Sequence, residues 1–338
     1  MKKPFFISVI FIFIYSITVN AQSKPIDSLK SSGQISQPII DMHVHVYSPA
    51  SFGSSNDFNS DGVILKGSKN YEDHLKEIIA EFEKNNVVLA YASGDFEIID
   101  ILNSKYPGKF FPSAEIWPTR ELLSDPVYIA ELKKRLKNKE ILGIGEVLNF
   151  YTGIAPNDPV MDTIYKIAIE FDVPVCLHFA PGPTGVQTWG GFFTQARYRN
   201  SNPLLMEDVL VKFPQLRVNI MHSGIPAFTE ETFAMFHMFP NVYADIGFLP
   251  VWSNYMRASL KQFLLKAVEY DFTDRIMFGS DEMRWPSAIG MGLDFIKNAT
   301  YLTDQQKQDI LYNNAARFLR VPEQMMKDNK NVNEKSDP

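Results

Sequence analysis

Eight short apolar runs, with helical patterns between most of them, constrain this chain more than any other feature. They read IIDMHVHV, NVVLAYAS, KFFPSAEIW, ILGIGEVL, VPVCLHFA, RVNIMHSG, NVYADIGF and RIMFGSDE. Each is rich in Val, Ile, Phe or Tyr and short enough for a strand, the pattern of strands buried on both faces. The intervening segments repeat at helical spacing. In YEDHLKEIIAEFEK, Leu75, Ile78, Ile79 and Phe82 form one apolar face. MDTIYKIAIEF does the same with Ile164, Ile167, Ala168 and Phe171, and RASLKQFLLKAVEY with Leu260, Phe263, Leu264 and Ala267. Thr303 followed by Gln306 predicts a capping box opening the last helix. Strands alternating with helices mean α/β, and eight such units predict a distorted (β/α)8 TIM barrel. A doubly wound open sheet would usually carry a Gly-rich phosphate turn after its first strand, and none is there.

The ends of the chain differ from this pattern. Residues 1–21 read as a cleaved signal peptide: Lys2 and Lys3, an apolar run from Phe5 to Val19, and small or compatible residues at Val19-Asn20-Ala21. That run is short for a membrane span of roughly 20 residues and is diluted by Ser8, Tyr15, Ser16 and Thr18. The expectation is an exported protein, periplasmic or secreted, with no stable membrane anchor after cleavage. Residues 22–37 read as a polar, Ser-rich linker, 38–321 as the barrel domain and 322–338 as a polar tail. The single cysteine, Cys176, cannot form an intramolecular disulfide and sits in an apolar run as a small buried hydrophobe. A net charge of −6 with no long Lys/Arg run argues against nucleic acid, so the expected partner is a small-molecule substrate.

In a barrel, catalytic groups belong at the C-terminal ends of the strands. His43 and His45, two apart in the first strand, share one face of the sheet. Glu146 ends the fourth strand, His178 the fifth, His222 the sixth and Asp281 the eighth. Four of the six histidines and two carboxylates therefore fall where a metal site would be built. His74 and His237 lie on helical stretches and read as surface or packing residues, and Glu282 beside Asp281 reads as a non-ligand.

The segments DMHVH, CLHF, KFPQLRVNIMHSG, FPNVYADIG, FGSDEMRW and ILYNNAARFL resemble the amidohydrolase superfamily. They are similar specifically to its amidohydrolase-related branch of metal-dependent hydrolases and aromatic-acid decarboxylases. The resemblance runs from Ile39 to Leu319. It implies that His43, His45, His178 and Asp281 bind metal. His222 would join a second metal or act as a catalytic base or polarising group. In binuclear members the position of Glu146 supplies a bridging carboxylate. The preferred expectation is two ions, with Glu146 bridging and His178 and His222 on the second. With a single ion, Glu146 would instead support the ligands or bind substrate. Zinc suits the ligands, as do manganese, iron or nickel.

The expected chemistry follows from the ligands. A divalent ion lowers the pKa of bound water towards about 7. Asp281 would accept the water proton during attack on an amide, ester or lactone carbonyl and return it to the leaving group. His222 or the ion would stabilise the developing oxyanion. The long loop after the first strand is expected to cover the mouth as a lid. The loop after the fifth offers Trp189, Phe192, Phe193, Arg197, Tyr198 and Arg199, with Arg197 or Arg199 as a carboxylate clamp. Trp285 is a further candidate for substrate binding. The alternative function is a nonoxidative decarboxylase using one metal. A silent binding protein fits less well, because no expected ligand position has been lost. The resemblance also allows a homodimer, since barrel enzymes of this family often pair.

Overall fold

A computed structural model of the chain describes residues 37–53 and 55–322. The signal peptide read at 1–21 therefore lies outside the described residues, as do nearly all of the linker and tail. Eight parallel strands follow one another around a nearly closed barrel: β1 (Ile39–His45), β2 (Val87–Gly94), β3 (Phe110–Ile116), β4 (Gly143–Val147), β5 (Val175–His178), β6 (Val218–Met221), β7 (Val242–Asp245) and β8 (Ile276–Met277). Each pairs with the next in sequence. The segment after β8 closes the circle, with Met42 N donating to Phe278 O at 2.9 Å and Asp281 N to His43 O at 2.7 Å. This is a TIM barrel, and each strand lies within one of the eight apolar runs except β2, which runs one residue past its own to Gly94.

Side chains divide into two layers because successive strand residues face opposite sides. Ile39 and Val44 of β1 and Ile144 and Val147 of β4 pack outward with helix residues such as Ile78, Ile164 and Phe263. Ile40, Met42, Tyr91, Cys176, Met221 and Met277 form a second cluster. Cys176 is a free, buried thiol there. The helices Tyr71–Asn85, Asp162–Glu170 and Asn254–Glu269 bury the faces their spacing predicts. Thr303 and Gln306 form the predicted capping box, and a π-helical turn at Asp309–Asn313 interrupts that last helix. Among the described residues, no helix is long and apolar enough to cross a membrane.

The loop after β1 is more ordered than its composition suggests. It contains an antiparallel hairpin, Phe58–Ser60 with Val63–Leu65. Asp61 and Gly62 both take positive φ, at 47° and 97°, the turn that Asp-Gly favours between hairpin strands. The Asp61 carboxylate accepts from Arg257 Nη2 at 2.7 Å, which ties the hairpin to the helix Asn254–Glu269. One residue of the hairpin, Phe58, lines the cavity described below.

Candidate metal centre

The backbone of two strands is adjusted so that ligand side chains converge. In β1, Ile40 and Met42 lie in one apolar cluster whereas Val44, also even-numbered, packs with the helices, because the β1–β2 register shifts between Asp41 and Val44. That irregularity changes the parity, so His43 and His45 both reach the centre. A second shift falls between Ile144 and Val147 on β4, around Glu146. Gly145 has φ +133°, and a Cβ there would sit 2.4 Å from the Cys176 carbonyl oxygen. Only glycine fits, so Gly145→Ala is expected to displace Glu146. Its metal content should fall by at least half relative to wild type, measured by elemental analysis of the folded protein.

The ligand-type atoms form two sets joined by one carboxylate. Glu146 Oε2 lies 3.5 Å from His43 Nε2 and 3.1 Å from His45 Nε2. Asp281 Oδ1 lies 3.5 Å and 3.2 Å from the same two nitrogens. The other oxygen, Glu146 Oε1, lies 2.7 Å from His178 Nδ1 and 3.3 Å from His222 Nε2, and those nitrogens are 3.1 Å apart. Donors about 2.0–2.2 Å from a common ion are spaced in this way. Both sets are buried. His43 Nε2 and Asp281 Oδ1 face the first set with no hydrogen-bond partner, an arrangement costly to bury unless a cation is shared between them. The residues fit one or two divalent ions.

Surrounding groups fix which imidazole nitrogen is free. His222 Nδ1 donates to Gly247 O at 2.9 Å, leaving Nε2 for the cluster. His45 Nδ1 is 3.2 Å from Glu115 Oε2, whose other oxygen accepts from Trp117 Nε1 at 2.8 Å. His43 Nδ1 faces Asp245 Oδ1 at 3.4 Å. Asp245 also accepts from His222 N, Gly247 N and Asn219 Nδ2, at 3.1, 2.9 and 2.7 Å. His43, His222 and Asp245 form a third group with metal-like spacing. With four donors already on its carboxylate, Asp245 acts as an orienting group. Sequence reasoning assigned no role to Asp245 or Glu115. The available signal was a carboxylate inside each of two apolar strand runs, VYAD and FFPSAEI.

Charges in this buried centre act strongly on one another. Burial pulls the His43 imidazole down, but Asp281, Asp245 and Glu146 hold it well above its ordinary value. Burial pushes the Glu146 carboxyl up, and His43 and His178 hold it well below. At His178 burial prevails and favours the neutral ring, the form that ligates metal. His222, Ser223, Phe248, Asp281 and Met283, all at or just past the ends of β6 to β8, take positive φ between 47° and 61°. Left-handed non-glycine residues cost of order 1–3 kcal/mol each and cluster where geometry serves a site.

The centre lies at the base of a cavity of about 760 Å³. His45, Glu146, His178, His222 and Asp281 line it, and so do all four of the chain's tryptophans, Trp117, Trp189, Trp252 and Trp285. Trp189 is 55% exposed at the mouth, and Trp285 packs on Phe58 and Phe248. Arg197 and Arg199 are both exposed, and neither is among the residues that line the cavity. Arg197 Nη1 turns back onto the carbonyls of Thr194 and Ala196, at 2.9 and 2.8 Å, satisfying its own loop. The arginine in the lining is Arg284. His74, on its helix, is fully buried with Nε2 3.1 Å from Glu282 Oε2, so Glu282 is turned away from the centre.

Solved structures share this fold. A TIM-barrel protein from Bordetella bronchiseptica is 17% identical, with a TM-score of 0.60, and covers 84% of this chain and 98% of its own. A probable 2-pyrone-4,6-dicarboxylic acid hydrolase from Acinetobacter baumannii, with citric acid bound, is 15% identical (TM-score 0.57; 84% and 100% covered). A 2,6-dihydroxybenzoate decarboxylase from Rhizobium is 14% identical (TM-score 0.56; 84% and 99% covered). At such identities the likeness is one of fold. No curated protein matches in sequence. The family model described as amidohydrolase matches residues 40–321, so this chain belongs to the amidohydrolase family, a family of enzymes that usually bind a divalent metal.

Proposed function

We propose that the protein is a metal-dependent hydrolase acting on the carbonyl of a small ester, lactone or amide. The observation that carries this reading is the division of the Glu146 carboxylate, one oxygen facing His43 and His45 and the other facing His178 and His222. Divalent ions held by these residues, zinc by the chemistry of the ligands, would activate water and polarise the substrate carbonyl. The Asp281 carboxylate takes the proton from the attacking water and delivers it to the leaving oxygen or nitrogen. His222, fixed by its bond to Gly247 O, keeps Nε2 turned to Glu146 and His178. Glu115 and Asp245 hold His45 and His43 in one orientation throughout. The aromatic wall favours a second reading, nonoxidative decarboxylation of an aromatic acid on the same ligands with one ion.

Counting ions per chain and assaying lactones, esters, amides and hydroxybenzoates separates the two. The expected result is two ions, with acid and alcohol or amine as products. Release of CO₂ by protein carrying one ion would sink the hydrolase reading. The apolar N-terminal run supports a further proposal, that the protein works outside the cytoplasm.

A further inference from the structure

Within the cavity, hydrogen-bonding capacity is unevenly spent. Two acids of the upper wall are fully engaged by protein donors. Asp95 accepts from Ile98 N at 2.9 Å and Ser48 Oγ at 2.7 Å, and both Glu115 oxygens are bonded to His45 and Trp117. Arg284 is the opposite case. Its Nε donates to Phe52 O at 2.8 Å, and its two Nη groups have no acceptor among the described residues. A guanidinium offers five N–H donors in a rigid fork, so the cavity contains a positive group with its planar pair of donors unspent.

The arm is held in place. The Arg284 Cζ lies 4.4 Å from the centroid of the Tyr47 ring and 5.5 Å from that of Phe52. Those rings lie 5.6 and 5.7 Å from the His74 ring, which the Glu282 carboxylate anchors. The Arg284 carbonyl accepts from Ser68 N at 3.0 Å. Arg284 thus lies over the aromatic pair directly, and Glu282, two residues before it, anchors the His74 ring beside that pair. Little freedom is left to lose when an anion arrives.

We propose that Arg284 is a specificity-determining residue that binds a carboxylate of the substrate. The substrate class is then a ring-bearing organic acid whose planar body lies against the cavity's tryptophans while its hydrolysable carbonyl meets the metal centre. This rests on the hydrolase reading for the reacting carbonyl, whereas recognition of the carboxylate does not.

The test uses metal-loaded protein and equilibrium binding. Since every tryptophan lines this cavity, quenching of tryptophan fluorescence reports its occupancy. Isophthalate and terephthalate are compared with 3- and 4-carbamoylbenzoate, which keep one carboxylate for the metals and replace the other by a neutral amide of similar shape. Wild type should bind at least one diacid about tenfold to hundredfold more tightly than its monoamide. Arg284→Gln should bring that ratio to within about twofold, and Arg284→Lys should give an intermediate ratio because the charge remains without the fork. A ratio near one in wild type overturns the proposal whether or not the variants fold. A wild-type preference that persists in folded Arg284→Gln also overturns it. If the preference is present and Arg284-dependent but no ester, lactone or amide is turned over, the hydrolase reading fails and the carboxylate site stands.

Discussion

Asp281→Asn should lower kcat by about 10²–10⁴-fold, the usual contribution of a positioned proton-transfer group. The substitution keeps the size and planarity of the side chain and removes the ability to take up a proton. The backbone position is preserved by independent bonds: Asp281 N donates to His43 O, and Ser280 N donates to Asp41 Oδ1 at 2.9 Å. The His178–His222–Glu146 set does not include Asp281, so metal bound there should remain. Steady-state kinetics paired with elemental analysis checks both halves of the expectation. Near-normal turnover in Asp281→Asn would refute the proton-carrying role.

A second large effect is expected at Glu146. Replacing it by glutamine removes a negative charge facing four imidazoles, His43, His45, His178 and His222. The amide offers a single oxygen, so it cannot face both ligand sets as an anion. Metal content should fall from two ions to one or none, and kcat/KM by at least about 10²-fold, since the two-ion clamp on the reacting carbonyl would be lost. Retention of two ions with full activity would show that Glu146 is not shared between them. The substitution should also lower the thermal stability of metal-loaded protein, because bound ions stabilise only the folded state.

These effects are foreseeable because much of the centre was legible along the chain. His43, His45, Glu146, His178, His222 and Asp281 stand at strand ends in the order a barrel requires, and the structure gathers all six within one buried cluster. Their supports were harder to see. Asp245 resembles any acid closing a strand, and its role depends on donors from three other places: His43 on β1, Asn219 on β6 and His222 just past it. Glu115 is 70 residues from His45 in the chain and 3.2 Å away in space. The placing of Arg197 and Arg199 outside the cavity lining was illegible for the complementary reason. Two cations in an aromatic loop after a ligand strand look like a clamp, but the loop needed Arg197 for its own carbonyls.

Fold class follows from local pattern: buried parallel strands need apolar residues on both faces, and amphipathic helices must cover them, so the count of alternating runs already specifies a barrel. Which side chains meet at the centre follows too, because strand ends in a barrel point to one mouth. Facing, reach and hydrogen-bond bookkeeping do not follow. The register shift in β1 that turns His43 and His45 inward, the carboxylate of Glu146 divided between two imidazole pairs, and the unspent fork of Arg284 in place of Arg197 or Arg199 were decided by packing. Each depends on which distant groups meet across the closed sheet, and that proximity exists only after the chain has folded.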